Sequence, residues 1–237
     1  MKDLKSNTLA QIVTKNYRAA VVFEKYNIDF CCKGKRTLVQ ACAEKGIDWS
    51  EMEQALASSG ANGENVLSEN VLEQTPGELT VYIEQNHHRY VREEIPLIEG
   101  YLLKLATKHG ERHPELYSVL SLFSDVKDEL EPHMKKEEMI LFPRIREAEH
   151  QSRVAFGVRP EGGYLQGPIQ VMEIEHDRAG TLMADIRKIT TDYTVPADGC
   201  TTYKLCYTSL QAFELDLHRH VHLENNILFP KALKLVG

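Results

Sequence analysis

Two stretches of the chain repeat one pattern: His133-x3-Glu137-x2-Ile140-Leu141-Phe142-Pro143 and His220-x3-Glu224-x2-Ile227-Leu228-Phe229-Pro230. On a helix, residues four apart share a face and differ by about 6 Å in rise. That spacing suits a histidine that binds a metal ion directly and a glutamate that bridges to it. One such pair reads more simply as a buried His–Glu hydrogen bond. Here the pair occurs twice, and two further histidines fall at matching intervals. His88, His133, His176 and His220 are 45, 43 and 44 residues apart (88 to 133, 133 to 176, 176 to 220). The candidate ligand set is therefore His88, His133, Glu137, His176, His220 and Glu224. Four imidazoles and two carboxylates exceed what one tetrahedral zinc uses. They suit two iron or manganese ions, each with two histidines and shared carboxylates. Positions then stay open for an oxo bridge, O2, NO or water. The repeat relates the two half-sites by a pseudo-two-fold axis. No side chain is assigned a catalytic role.

The elements that must carry these residues follow from apolar periodicity. Four long helices are expected near 78–108, 115–148, 167–191 and 201–234, with Pro114 and Pro168 at the starts of the second and third. The second has a core stripe of Leu116, Val119, Phe123, Val126, Leu130, positions 133 and 137, then Ile140. The fourth runs Cys206, Leu210, Phe213, Leu217, His220, Glu224, Ile227, and the third Ile169, Met172, His176, Ala179, Met183, Ile186. The first gives His88, Val91, Ile95, Ile98, Leu102, Leu105; upstream the stripe meets Glu84 or Gln85, so this helix is the least clean. Each helix thus puts one histidine on its core stripe, and two add a glutamate where an apolar residue belongs. A bare carboxylate there costs roughly several kcal/mol unless paired or metal-bound. About 20 residues follow His88 in its helix and about 18 precede His133 in the next, which keeps the histidines near one level of an antiparallel bundle. The fold class is all-α, a four-helix bundle preceded by a small helical domain.

Other titratable residues carry less. His88 is favoured over His87, because the stripe forward of 87 meets Tyr90 or Val91 and then Glu94. His109 lies 21 residues from His88, about 30 Å along a helix, and reads as a helix-end residue. His222 points away from the stripe, as a supporting or solvent-facing ring. Glu175 and Asp177 read as exposed charges. His113 and His150 sit at helix ends.

Ahead of the bundle, Thr8 is placed to cap a helix through LAQIVTKNYRAAVVFEKY. A turn spans 27–34, Thr37 caps LVQACAEK, Gly46 stops it, and a third helix starts after Asp48 or Ser50. The polar stretch SSGANGEN marks a linker. The domains are read as 1–57, a small cysteine-containing domain, 58–77, a linker, and 78–237, the bundle. The 149–167 connection has the length of a functional loop. Cys31 and Cys32 are adjacent, a spacing that disulfide geometry disfavours. Lys33, Lys35, Arg36 and the following helix start favour thiolate there. The pair reads either as a thiolate site for iron transfer or redox, or as a structural turn. Cys42, Cys200 and Cys206 read as structural. The chain has 237 residues, 42% hydrophobic and 27% charged, with a net charge of −7. That acidic balance argues against nucleic acid as a partner. No run approaches the roughly 20 apolar residues of a membrane helix, no secretory signal opens the chain, and five unevenly placed cysteines argue against a disulfide framework. The expected location is the cytoplasm.

The residues quoted for the bundle, with Glu175-His176-Asp177 and Asn225-Asn226, resemble hemerythrin-like domains. Tyr26-Asn27-Ile28-Asp29-Phe30-Cys31-Cys32-x-Gly34-x2-Thr37-Leu38 resembles the short domain that precedes the bundle in the repair-of-iron-centres family. The two resemblances together cover nearly the whole chain. They imply a cytosolic bacterial protein with two non-heme, carboxylate- and oxo-bridged iron ions. Its implied role is to restore iron–sulfur clusters damaged by nitric oxide or peroxide, with damaged iron–sulfur proteins as partners, NO or O2 as small ligands, and a homodimeric state. The resemblance tips Cys31 and Cys32 toward function. Oxygen-carrying hemerythrins add a fifth histidine one turn from the third-helix ligand and an aspartate five residues after the fourth-helix histidine. This chain has Met172 and Gly180 around His176, and Asn225. The departure argues against reversible O2 carriage and for labile iron. Three functions compete: iron donation, nitric oxide reduction at the di-iron site, and O2 or NO binding and sensing. Donation is preferred because a gas binder has no need of a cysteine domain, and no G-x-G-x-x-G for a nicotinamide or flavin follows a strand.

Overall fold

The computed structural model describes residues 4–16, 18–59, 69–154 and 163–236. Among them every extended element is helical, and one isolated antiparallel bridge pairs Thr8 with Thr37. Two compact units result: Met1–Thr75 with Val221–Lys231, and Pro76–His220 with Ala232–Gly237.

The first unit is set by its caps. Thr8 and Thr37 each form a reciprocal capping box, with Gln11 and Gln40, to start α1 (Leu9–Lys15) and α3 (Leu38–Lys45). Gly46 ends α3 in the left-handed region at φ 66°. The Asp48 carboxylate accepts from the backbone N–H of Ser50 and Glu51 and so starts α4 (Trp49–Ser59). The single helix expected through 9–26 is broken. Asn16 turns extended (φ −145°, ψ 95°), and its side chain accepts from the Arg18 N–H to open α2 (Arg18–Lys25). An asparagine that offers its own acceptor competes with the helical ladder. Leu9, Val13, Phe23, Phe30, Leu38 and Met52 are buried in this unit. A short α5 (Glu69–Glu73) follows, and Lys231 donates to the Leu72 and Gln74 carbonyls. Most of the SSGANGEN linker stretch, and residues 155–162 of the expected 149–167 loop, lie outside the described residues.

The second unit holds most of a helical bundle, whose fourth run also includes Val221–Lys231 of the first. Its first run joins α6 (Pro76–Ile83), a π-helical turn (Glu84–His88) and α7 (Arg89–His109). The second joins α8 (Glu115–Lys136), a π turn (Glu137–Leu141) and α9 (Phe142–Arg153). The third is α10 (Gly163–Ile189), which starts ahead of Pro168 rather than at it. The fourth begins with α11 (Thr201–Leu223) and runs on through a π turn (Glu224–Leu228) into α12 (Phe229–Val236). Cross-links give the antiparallel directions: Lys127 with Glu99 and Arg92 with Glu138, Arg144 with the Tyr164 carbonyl and Lys136 with Glu175.

The core stripes run as the periodicity predicts, with two corrections. Ile140 is 45% exposed, while Leu141 and Phe142 are buried. The π turn that starts at Glu137 inserts one extra residue and rotates the stripe by that amount. The same event explains the untidy first helix. Upstream of His88 the buried stripe continues at Ile83 and Leu79, not at position 84 or 85. The step of five from 83 to 88 is a π turn.

Candidate metal centre

Every candidate ligand is buried: His88, Glu137 and Glu224 are fully enclosed, and His133, His176 and His220 nearly so. Within the second unit, Oε2 of Glu137 lies 3.3 Å from Nε2 of His88 and 3.4 Å from Nε2 of His133. Nε2 of His133 lies 3.0 Å from Nε2 of His176. The His88 and His220 rings stand 5.0 Å apart, centroid to centroid. Glu224 is one turn beyond His220 on the same run of helix. Ligand atoms of His88, Glu137, His220 and Glu224 lie within 4.8 Å of one another, and so do those of His133, Glu137, His176 and Glu224. Both groups could hold a metal ion, and both contain Glu137 and Glu224. A donor set of neutral nitrogens and carboxylate oxygens, placed where water is excluded, fits divalent or trivalent iron.

The π turns bear on this. Three of them lie on the runs carrying His88, Glu137 and Glu224: one ends at His88, the others begin at Glu137 and at Glu224. Single π turns inside α-helices often mark functional sites, because the wider turn re-aims a side chain. Nothing in the periodicity flagged them except the untidy stripe near His88.

Two carboxylates missed by the sequence reading set the rings. Nδ1 of His88 donates to Glu138 at 2.7 Å, and Arg92 grips both oxygens of the same carboxylate. Nδ1 of His133 donates to Glu175 at 2.9 Å, and Lys136 pairs with the other oxygen. Each contact leaves Nε2 as the ring atom free to face the cluster. Glu175 is thus not the exposed charge it resembled: the hydrogen bond from His133, with help from Lys136, holds its carboxyl down at about 2. Burial pushes the Glu138 carboxyl up, but Arg92 and His88 outweigh it and hold it low. Asp177 is exposed as expected. His222 is neither pointing to solvent nor near it: it is fully buried, its ring edge-on to Phe30, and burial brings it down to about 4.

In the first unit, Asp29, Cys31 and Cys32 form a smaller cluster whose ligand atoms also lie within 4.8 Å of one another. One Asp29 oxygen accepts from the backbone N–H of Cys31, Cys32 and Lys33 and from the Cys31 thiol at 3.3 Å. The two sulfurs are 3.9 Å apart. Cys32, burial and Asp29 push the Cys31 thiol well above its usual range. The thiolate preference expected from the basic neighbours is therefore reversed at Cys31. Arg36 turns instead to the Asp29 carbonyl and Glu44. Asn226, two residues past Glu224, donates to the Cys31 carbonyl at 3.1 Å. No disulfide joins the cysteines: Cys31, Cys32, Cys42, Cys200 and Cys206 are all free.

Residues 80–232 match the hemerythrin HHE cation binding domain, and residues 5–59 match a domain of unknown function (DUF542). The chain is 34% identical over 232 residues to the iron-sulfur cluster repair protein YtfE of Yersinia pestis (strain Pestoides F), covering 98% of this chain and 99% of that protein. It is 35% identical to the protein of that name from Enterobacter sp. (strain 638), over 95% and 96% of the two chains. For the one from Musicola paradisiaca (strain Ech703) the figures are 33% and 97% of each. The chain belongs to this family of iron–sulfur cluster repair proteins with a hemerythrin HHE domain.

Proposed function

We propose that this chain repairs iron–sulfur clusters damaged by nitrosative or oxidative stress, and that it does so by giving up iron. The reading rests on one observation above all. Two four-residue His/Glu groups share Glu137 and Glu224, in a chain whose relatives are named iron–sulfur cluster repair proteins. In this reading His88 and His220 hold one iron and His133 and His176 the other, with Glu137 and Glu224 common to both. Two shared carboxylates keep the ions as a pair, and two imidazoles per ion leave each one exchangeable. Iron bound there supplies open coordination positions that NO or O2 can occupy. Glu138 and Glu175 keep the ring nitrogens of His88 and His133 aimed inward. Asp29, Cys31 and Cys32 serve as the receiving site for iron in transit: a cation that binds there displaces the thiol proton, so sulfur becomes a ligand only when metal arrives.

The domains divide as 1–57, 58–77 and 78–237, the chain acts in the cytoplasm as a homodimer, and its partners are damaged iron–sulfur proteins. The family resemblance and the acidic composition support this organisation, location and assembly. For the described residues, no helix is long and apolar enough to cross a membrane.

The test follows isotope-labelled iron. The loaded protein is mixed with an iron–sulfur enzyme damaged by nitric oxide, the two are separated, and label is counted in the enzyme. Label appearing together with recovered activity is expected. Label that stays behind, with nitric oxide consumed, would instead assign the chain to nitric oxide reduction. The double substitution of Cys31 and Cys32 by Ala should abolish repair and spare any nitric oxide turnover.

A further inference from the structure

The two ligand groups account for four imidazoles of the second unit, and a fifth stands beside them. His87 precedes His88 in the chain, its side chain is only 7% exposed, and its ring lies 5.5 Å from that of His220 with the planes 10° apart. Its Nδ1–H donates to Asp216, at 3.0 and 3.1 Å from the two carboxylate oxygens. A carboxylate has no proton to give, so the proton of this contact sits on Nδ1, and in the neutral ring the lone pair is on Nε2. His88 and His133 are built the same way, with Glu138 and Glu175 in the place of Asp216. His87 repeats their pattern with one difference: Nε2 of His88 and of His133 lie 3.3 and 3.4 Å from a Glu137 oxygen, whereas Nε2 of His87 is buried and meets no hydrogen-bond partner among the described residues. A buried acceptor left unmade costs about 1–3 kcal/mol, and a ring kept only to pack against His220 would need neither nitrogen nor Asp216.

His222 also buries an Nε2 without a partner. There Nδ1 faces the Asn226 amide at 3.1 Å rather than a carboxylate, so the ring lacks the anionic partner that orients His87, His88 and His133. Ring separations place His87 beside His220. The pairs grouped around one ion position are 5.0 Å apart (His88 and His220) and 4.7 Å apart (His133 and His176). His87 and His220, at 5.5 Å, are nearer to those than to the 6.4 Å of His176 and His220, which belong to different groups. The nitrogens of His87 fall in neither group, so the ring stands next to the cluster, not within it.

We propose that His87, oriented by Asp216, is an auxiliary metal ligand to which the ion of the His88–His220 position passes as it enters or leaves the cluster. The proposal rests on the two-ion reading above and adds a route to it. Exchange onto Nε2 replaces one metal–ligand bond by another, with no change of oxidation state. No proton moves, because the Nδ1 proton remains on its bond to Asp216.

Zinc is a diamagnetic probe for this step, read in full-length protein carrying 15N-histidine. On loading with zinc, the Nε2 resonance of His87 should shift or broaden by exchange. In His87→Phe, which keeps a ring against His220, two zinc ions should still bind. The faster-leaving ion should pass to a chelator about tenfold more slowly, the loss of a route worth about 1.4 kcal/mol of barrier. A His87 resonance unmoved at full zinc loading overturns the proposal. So does His87→Phe with both ions bound and release within about twofold of wild type, about 0.4 kcal/mol of barrier. Should His87→Phe fail to fold, the wild-type resonance decides alone. A wild-type protein that binds fewer than two zinc ions defeats the two-ion reading, and the His87 resonance of that sample still decides the role of His87.

Discussion

Glu137 stands between His88 and His133: a single carboxylate oxygen lies 3.3 Å from Nε2 of the one and 3.4 Å from Nε2 of the other. The two histidines come from different helical runs, and the glutamate is on the same run as only one of them. A carboxylate in this position joins the two groups as well as belonging to each. Glu137→Ala and, separately, Glu224→Ala should therefore lower iron content to roughly half of wild type or less, since metal binding depends on the complete ligand set. Iron counted by elemental analysis on purified protein decides this. Full retention in both variants would remove the bridging role.

The carboxylates behind the rings should matter almost as much as the ligands. Glu138→Gln and Glu175→Gln keep the shape but offer His88 and His133 a weaker, ambiguous partner. Each should weaken metal affinity by about 10–100-fold, measured by competition with a chelator. Helix content by circular dichroism should stay that of wild type.

A second buried ion pair lies away from the metal centre. Arg187 makes two bonds to Glu214, at 2.9 and 2.6 Å, and Tyr193 donates to the same carboxylate at 2.7 Å. Burial, then Glu214, push the Tyr193 hydroxyl far above its ordinary range. Residues Thr191, Asp192 and Tyr193 all have positive φ and end in the tyrosine of this network. Glu214→Leu strands the guanidinium of Arg187 and should cost about 3–5 kcal/mol in urea unfolding. Adding Arg187→Met should recover most of that loss. A double variant no better than the single one would show that the pair is not what is being measured.

Gly34 and Gly46 should respond to alanine for different reasons. A Cβ at Gly34 would sit 2.5 Å from the Phe30 carbonyl oxygen, 2.9 Å from Oδ1 of Asn226 and 3.0 Å from Cβ of Ala10. Gly46 has open space and only its φ of 66°. Gly34→Ala should cost about 1–3 kcal/mol from overpacking, and Gly46→Ala about 1 kcal/mol from the left-handed backbone. Thermal unfolding of both variants ranks them. An equal or reversed ranking would mean that the loop before α3 yields easily.

Asp48 gives a pH dependence with a definite sign. The Ser50 hydroxyl and the backbone N–H groups of Glu51 and Ser50 hold its carboxyl below the usual value of 3.8. A depressed carboxyl contributes stability that is present above its unfolded-state value and is lost as pH falls through the folded one. The wild type should accordingly lose this contribution as pH falls through 3.8 and on to the lower folded value, and Asp48→Asn should be less sensitive over that range. Identical acid profiles would remove Asp48 as a charged cap.

The sequence by itself determined the bundle, its stripe residues and the six candidate ligands. Helical periodicity is a local property, and His133, Glu137, His220 and Glu224 violate it in a repeated way that apolar packing does not produce. The capping residues Thr8, Thr37 and Gly46 were legible for the same reason: each acts on backbone a few residues away. What only the tertiary structure decided is whatever depends on neighbours distant in the chain. Glu138 and Glu175 look like solvent charges until His88 and His133 arrive from other helices. His87 loses to His88 on periodicity, yet Asp216, 129 residues on, gives its ring a fixed orientation. Cys31 has basic sequence neighbours that favour thiolate, but in the fold Asp29 and Cys32 surround the sulfur and keep its proton. The π turns fall between the two cases. The one at Glu137 shifts its stripe by one residue, which moves Ile140 out to solvent and Leu141 into the core, while in the fourth run Ile227 stays buried. The sequence signals such turns only as a break in the pattern near His88.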